Sequence, residues 1–293
     1  SDKAGALALS TGSTLTVGAG KESILNLAAA ASEQDALYVT VSSADTPVAA
    51  VVRTITMDGL TSKGSDYAVP NNVSAKTLAI NGLSEGDDVN LYVYPSQQAD
   101  VTVSWTDGTG TKNTNQQTLE ANRVSVIDLG SVPKSATGLT ISATEPVTVA
   151  AKVTNDGDGD QADFALVNAS VPMNVSAIAV PDHATAQVSV TNTSDDDRTA
   201  TLTSYNGDGD IVEQSDLTIR AGASTTIELA DINDGDVAAV SLADPDQSMV
   251  WNIRVSQKDV SDAKLAGVSI IGATDLKEAR EQVWSNQNMT IVR

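Results

Sequence analysis

The sequence contains no cysteine, which excludes disulfide bonds, zinc–thiolate sites and a thiol nucleophile. It contains one histidine, His183, so a metal site built from several histidines is excluded as well. A hydrolase would need His183 within hydrogen-bond reach of a serine and an aspartate in a cleft, and no strand-to-helix context supports such a nucleophile. These absences favour a protein that is not an enzyme and that carries no cofactor.

Basic residues and long apolar runs are also scarce. The chain has 17 lysines and arginines against 38 aspartates and glutamates, a formal net charge of −21. Nucleic acids and anionic membranes require basic patches, so neither is expected as a partner. No run of about 18 apolar residues is present, which predicts no membrane span, and no signal peptide can be recognised. Because the sequence opens at Ser1 within a repeat, we expect a targeting segment upstream.

Aromatic residues make up only 3% of the chain, so its core must come from Val, Ile, Leu and Ala. Short alternating runs of these residues with Thr and Ser are typical of β-strands. A twelve-residue segment occurs three times, as Thr16–Leu27, Thr118–Leu129 and Thr218–Leu229. The copies are 102 residues apart (16 to 118) and then 100 apart (118 to 218). This period indicates a tandem array of small domains, since solenoid repeats span roughly 20–50 residues.

Each copy of this repeated segment contains the features of a turn between two strands. Thr followed by Val, Leu or Ile ends a strand, and the turn carries Gly20, Asn122 or Gly222, residue types that tolerate a positive φ. The last three residues alternate, which predicts two buried apolar side chains with an exposed residue between them. The sequence therefore predicts a β-arch or hairpin that returns to the core in each repeat.

The spacing of the copies divides the chain into three parts. Residues 1–70 are predicted to be a partial β-sandwich repeat, residues 71–173 a complete repeat, and residues 174–293 a repeat with a C-terminal extension. The fold class is therefore all-β. In the extension, a polar cap followed by apolar residues on one face predicts a short helix over about residues 275–284.

Further positions match between the repeats. Pro47 and Pro146 lie at corresponding places, where each predicts a turn between two strands. Arg53 and Lys152 also correspond, and each is predicted to end a strand at the surface. These matches extend the repeat beyond the twelve-residue segment.

The motifs together resemble those of a known family. They are Val-Thr-Asn at 190–192, an aromatic-x-x-Asp-Gly hairpin, Thr-[Ile/Val]-x-Ala-Gly, [Ile/Leu]-[Asp/Glu/Asn]-Leu and Pro-Val-x-[Val/Ala]-Ala. Over nearly its whole length the chain resembles an uncharacterised family of secreted or envelope-anchored proteins from high-GC Gram-positive bacteria. The resemblance implies tandem immunoglobulin-like β-sandwiches and a location outside the cell or on its envelope. It implies no catalytic or binding residues.

One acidic segment is a candidate calcium site. Asp156, Asp158 and Asp160 place carboxylates at alternate positions, as oxygen-rich calcium loops do. With Asp156 as position 1, an EF-hand loop would need Gly and Glu where the chain has Gln161 and Val167. Because β-hairpins need Asp-Gly turns in any case, a plain turn is the favoured interpretation and calcium binding is the alternative.

Aromatic rings exposed on one face would instead indicate a glycan site. The rings available for it are Trp105, Trp251, Trp284, Tyr67, Tyr92 and Tyr94. Trp105 and Tyr205 occupy equivalent repeat positions, which favours packing in the core over sugar stacking.

The sequence thus predicts tandem immunoglobulin-like β-sandwiches with a non-enzymatic structural or adhesion role, outside the cell or attached to its envelope. The alternative is a ligand-binding module for glycan or calcium. A cell-wall glycan or another surface protein is the expected kind of partner, and the sequence names neither.

Overall fold

The computed structural model describes residues 16–24, 27, 38–41, 48–58, 61–68, 71–106, 111–131, 136–155, 163–181, 184–229, 237–257 and 268–276. Every named element within these residues is a β-strand, which confirms the all-β class. The strands are β1 (Val52–Asp58), β2 (Thr61–Ala68), β3 (Ala75–Asn81), β4 (Asp88–Pro95), β5 (Ala99–Thr106), β6 (Lys112–Leu119), β7 (Ser125–Ser131), β8 (Gly138–Asn155), β9 (Asp163–Asn168), β10 (Val175–Ala179), β11 (Ala184–Asn192), β12 (Arg198–Tyr205), β13 (Ile211–Ile219), β14 (Ser224–Glu228), β15 (Ala239–Ala243), β16 (Met249–Gln257), β17 (Val268–Gly272) and β18 (Thr274–Asp275).

Strands β3 to β9 form a layered unit, called the central unit below, which the 18-residue strand β8 holds together. The first half of β8 pairs with β3 and β5, and its second half pairs with β4 and β9. Strand β6 extends the first arm through β5, and β7 extends the second arm through β4. One hydrophobic cluster contains Val101 and Val103 from the first arm and Leu91 and Val93 from the second. The two arms therefore pack face to face.

Strand β8 corrects the prediction of a turn at Pro146. The chain continues through Pro146 as one strand that leaves the first arm and enters the second. Among the described residues, Thr144, Glu145 and Pro146 have no ladder partner, so the missing N–H of proline breaks no hydrogen bond there. Pro146 thus marks a crossing between arms and not a turn. Pro47 lies outside the described residues.

Strands β10 to β18 form a second layered unit, called the C-terminal unit. One sheet has the order β13-β12-β15-β10-β18, and the other has the order β14-β11-β16-β17. A second hydrophobic cluster contains Leu202 from the first sheet and Trp251 and Ile253 from the other. Between β15 and β16 the chain does turn, and the buried Asp244 carboxylate accepts hydrogen bonds from the Ser248 and Met249 amides, both at 2.6 Å.

The repeated segment has the predicted backbone conformation. Gly20, Asn122 and Gly222 all have positive φ, at 65°, 58° and 62°. The second copy joins β6, which pairs with β5 in the first arm, to β7, which pairs with β4 in the second arm. The third copy joins β13 to β14, which belong to different sheets. It is therefore an arch. The predicted burial of its leucines holds in part, with Leu229 buried and Leu129 half-buried.

The predictions at the two ends of the chain have mixed outcomes. Arg53 is exposed, but it is the second residue of β1 and does not end a strand; Lys152 lies within β8 and is half-buried. Of the predicted helix, Asp275 instead pairs with β10 as part of β18, Leu276 is described as a single exposed residue after this strand, and residues 277–284 lie outside the described residues. Across the described part of the chain, no helix has the length and apolarity needed to cross a membrane.

Candidate functional site: the junction between the two units

The outer face of the sheet β14-β11-β16-β17 is buried against the central unit. Along β16, Trp251 and Ile253 point into the core of the C-terminal unit. The alternate residues Val250, Asn252 and Arg254 therefore point the other way, yet they are only 0%, 0% and 6% exposed. Strand β16 is therefore buried on both faces, and its outer face marks the junction between the C-terminal unit and the central unit.

A buried ion pair crosses this junction. Arg254 Nη1 lies 2.6 Å from Asp87 Oδ2, and Nη2 lies 3.2 Å from Oδ1, a two-point contact. The side chains are 7% and 2% exposed. Arg254 also donates to the Gly82 carbonyl at 2.9 Å, and Asp87 accepts from the Ser84 amide at 2.8 Å. The turn between β3 and β4 thus helps to hold the carboxylate that the guanidinium contacts.

Asn81 forms a second, uncharged part of the junction. Its backbone amide donates to Asn252 Oδ1 at 3.1 Å, and its side-chain amide donates to the Val250 carbonyl at 3.0 Å. Its Oδ1 accepts from the hydroxyl of Thr191, which also lies 2.6 Å from Ser224 Oγ. Asn81 therefore forms hydrogen bonds with two neighbouring strands of the C-terminal unit, β16 and β11, and Thr191 connects it to a third strand, β14.

Gly138 allows the two units to approach this closely. A Cβ added at Gly138 would overlap Asn81 Oδ1 and Thr191 Oγ1 and would lie 2.8 Å from Ser224 Oγ. No side chain larger than hydrogen fits at this point without moving the network. The first residue of β8 is thus a glycine because two units meet at it.

Apolar and backbone contacts complete the junction. Ile270 of β17 is 6% exposed and packs into the hydrophobic cluster of the central unit, whereas its neighbour Ile271 packs against the cluster of the C-terminal unit. Thr106, at the end of β5, donates to the Gly222 carbonyl at 3.1 Å. The third copy of the repeated segment therefore contacts the preceding unit directly.

The candidate calcium ligands Asp156, Asp158 and Asp160 lie outside the described residues. The related acidic turn at residues 206–210 is described, and its Asn206 Oδ1 accepts from the amides of Asp208 at 3.1 Å and Asp210 at 2.9 Å. These bonds belong to a hairpin turn between β12 and β13. Within the residues that the structure covers, no group of three His, Cys, Asp or Glu side chains is placed to hold a metal ion.

His183 also lies outside the described residues. The letters of the Gly-x-Ser-x-Gly nucleophile motif occur at residues 82–86. This segment joins strand β3 to strand β4, whereas a nucleophile elbow requires a turn from strand to helix. Its Ser84 serves the junction through the bond to Asp87.

The aromatic rings take several different positions. Trp251 is 1% exposed and its Nε1 donates to Ser176 Oγ at 2.6 Å. Trp105 packs on the central cluster, in line with a core role, while the hydroxyl of Tyr205 lies 3.3 Å from Ser241 Oγ. Tyr94 stacks on Tyr38 with ring centroids 3.8 Å apart. Tyr67 is 57% exposed, and Trp284 is outside the described residues. The described rings form no shared exposed platform.

Sequence reasoning missed the junction residues. The signal for Arg254 was present, because it follows Lys152 by 102 residues (152 to 254), as Lys152 follows Arg53 by 99 (53 to 152). The alternating polar residues Asn252, Arg254 and Ser256 of β16 are typical of a strand with one face in solvent, so they give no sign of burial. Nothing in the sequence distinguishes Asp87 as a junction residue, because it is one of 38 acidic residues.

Comparison with known proteins gives a family and several solved structures. A family model described as a family of unknown function, DUF5719, matches residues 1–230. No curated protein matches the chain. A crystal structure of a candidate secreted protein from Parabacteroides distasonis is 12% identical, and the alignment covers 77% of this chain and 87% of that one with a TM-score of 0.17. A likeness at this TM-score carries no argument about fold or location.

Proposed function

We propose a structural, non-enzymatic role for this chain, which belongs to the DUF5719 family, a family of unknown function. In this proposal its units are tandem immunoglobulin-like β-sandwiches, docked head to tail as a rigid scaffold outside the cell or on its envelope. The observation that supports the proposal is the buried Arg254–Asp87 pair, which joins the two units. The resemblance described above supports the location.

The order of the strands supports a repeat of one sandwich. The first arm of the central unit runs β6-β5-β8-β3, and the first sheet of the C-terminal unit runs β13-β12-β15-β10. The second arm runs β7-β4-β8-β9, and the other sheet runs β14-β11-β16-β17. In chain order, β3 to β7 occupy the same sheet positions as β10 to β14, and β9 occupies that of β17. The two halves of β8 take the places of β15 and β16. The proposal keeps the repeat boundaries near residues 71 and 174.

A buried ion pair favours a defined geometry more than a high stability. Desolvation of two charges offsets most of their attraction, so such a pair is weak evidence for stability. A misplaced partner, in contrast, would leave a charge buried without compensation, at about 3–5 kcal/mol. Arg254 and Asp87 therefore penalise those relative orientations of the two units that would bury one of the charges without the other. A spacer or adhesion stalk needs this property.

A distance measurement tests the proposal. Since the chain has no cysteine, the variant Gln116→Cys/Glu213→Cys would carry spin labels at only these two exposed positions, one on each unit. We expect a single narrow distribution of label distances by pulsed electron spin resonance, which Arg254→Met broadens. A broad distribution in the parent protein would contradict a rigid scaffold.

The alternative, a module that binds calcium or glycan, stays a prediction. Asp156, Asp158 and Asp160 remain its candidate ligands, and calorimetric titration with calcium tests them. Heat that disappears when all three are changed to asparagine would favour the alternative over the scaffold.

A further inference from the structure

The central unit has a sheet face that corresponds to the face of the C-terminal unit that contains Arg254. In the ladder, Arg254 lies between Gln187 of β11 and Ile270 of β17. Lys152 lies in the same way between Asn90 of β4 and Leu166 of β9. Two positions earlier, Ala150 lies between Tyr92 and Asn168 as Asn252 lies between Ser189 and Gly272. We call the outward residues Asn90, Tyr92, Ala150, Lys152 and Leu166 the Lys152 face.

The two corresponding faces differ in how well they are covered. On the C-terminal unit, Ser189, Asn252 and Arg254 are 1%, 0% and 6% exposed. All five residues of the Lys152 face are only half-buried. The central unit covers the face around Arg254 almost completely. The equivalent Lys152 face is covered only in part.

The strands beside the Lys152 face are arranged like those beside the Arg254 junction. Strand β2 lies beside β9, as β9 lies beside β17. The Leu166 amide donates to Asp66 Oδ2 at 2.7 Å, and Tyr38 stacks on Tyr94 at the end of β4. Residues before the central unit thus contact it at the edge of the Lys152 face, as one unit docked on the next would do.

The cation at the centre of the face packs on an aromatic ring. Lys152 Nζ lies 4.5 Å from the centroid of the Phe164 ring, and no carboxylate of the described residues forms an ion pair with it. At the junction, the acid comes from the turn between β3 and β4, which also supplies Asn81 and the Gly82 carbonyl. In a chain with 38 acidic residues, a half-buried lysine paired only with a ring is a position where a carboxylate would bind.

From these observations we infer that the Lys152 face is a docking site for the strand-connecting turn of another β-unit of this type, a turn that carries an amide and a carboxylate as residues 81–87 do. The carboxylate pairs with Lys152, and the turn covers Tyr92 and Ala150. This inference rests on the proposed head-to-tail assembly, because it applies the chemistry of the junction to a second, equivalent face.

A peptide experiment on the full chain tests the inference. The probe is a backbone-cyclised synthetic peptide that contains residues 79–88, and the readout is the NMR spectrum of the isotope-labelled protein. We expect saturable shifts at Tyr92, Lys152 and Leu166. Replacing Asp87 by asparagine in the peptide, or introducing Lys152→Met in the protein, should weaken binding by about tenfold or more, because a charge-assisted hydrogen bond is lost.

Matched variants keep the outcome clear. Lys152→Met retains an unbranched side chain over the Phe164 ring, and Lys112→Met, which removes an exposed cation on β6, should bind the peptide normally. Absence of shifts at millimolar peptide, or equal binding by Lys152→Met, would overturn the inference. A dimer in sedimentation velocity that Lys152→Met abolishes would also overturn it, because the turn of residues 81–87 in a second copy is already bound in its own junction and a different surface would then cover the face. The narrow spin-label distance across the Arg254 junction would survive each of these results, so the two proposals fail separately.

Discussion

Arg254 and Asp87 form a two-point ion pair although they belong to different units and are separated by 167 residues in the chain. Each side chain is more than nine-tenths buried. The pair lies where a strand of one unit meets a turn of the other, so it couples the relative position of the units to the satisfaction of two charges. The predictions below follow from this coupling and from the glycine and turn residues around it.

Removing one member of the pair should destabilise the protein strongly. Arg254→Met leaves Asp87 buried without a cation, and we expect a loss of about 3–5 kcal/mol in the free energy of unfolding. Urea unfolding followed by tryptophan fluorescence measures it. Arg198→Met is the matched control, because Arg198 pairs with the exposed Asp196 within one unit and such pairs contribute about 0–1 kcal/mol.

A double variant distinguishes the cost of an unpaired buried charge from the loss of the ion pair itself. Asp87→Leu combined with Arg254→Met removes both charges, and replacing a buried pair by apolar residues is often neutral. We therefore expect the double variant to be more stable than Arg254→Met alone. Losses that simply add would show that the two side chains do not interact.

Gly138→Ala should disrupt the junction by steric overlap. The new methyl group meets Asn81 Oδ1 and Thr191 Oγ1, and overpacking of this kind costs about 1–3 kcal/mol. Gly207→Ala is the control, since a Cβ there meets nothing within 4 Å and the backbone is not left-handed. Thermal unfolding of both variants decides the point: equal melting temperatures would mean that Gly138 is not confined by its neighbours.

The arch turns give a prediction about backbone conformation. Gly222 has a φ of 62°, so Gly222→Ala should cost about 1–2 kcal/mol. Asn122 holds the same conformation with a φ of 58°, and Asn122→Gly should cost little because glycine adopts it freely. Urea midpoints compare the two. A larger loss for Asn122→Gly would contradict a turn governed by φ and would point to its contact with Tyr94 instead.

Tyr92 gives a prediction about pH. Burial raises the pKa of the Tyr92 phenol above its ordinary value of 10.0. The folded protein therefore holds this proton at a pH where the unfolded chain loses it, so its contribution to stability is complete below about pH 10 and declines as the pH rises further. Unfolding free energies between pH 9 and about pH 12 should fall less steeply in Tyr92→Phe. Parallel profiles for the two proteins would exclude this contribution.

Local features were predictable from the sequence, and contacts between units were not. Asn122 in place of a glycine gave the left-handed turn correctly, because φ preference is a property of one residue and its neighbours. Pro146 misled for the same reason: a local rule predicts a turn, and only the two-armed pairing of β8 shows why the strand continues. Asp87 needs the position of a strand 167 residues away, which no local pattern contains.

In the proposed scaffold, the buried pair holds the two units at one fixed orientation. Spin labels at Gln116→Cys and Glu213→Cys test it directly, with Arg254→Met compared against Arg198→Met in the same labelled background. We expect one narrow distance distribution for the parent and for Arg198→Met, and a broad or shifted one for Arg254→Met. A parent distribution as broad as that of Arg254→Met would contradict it.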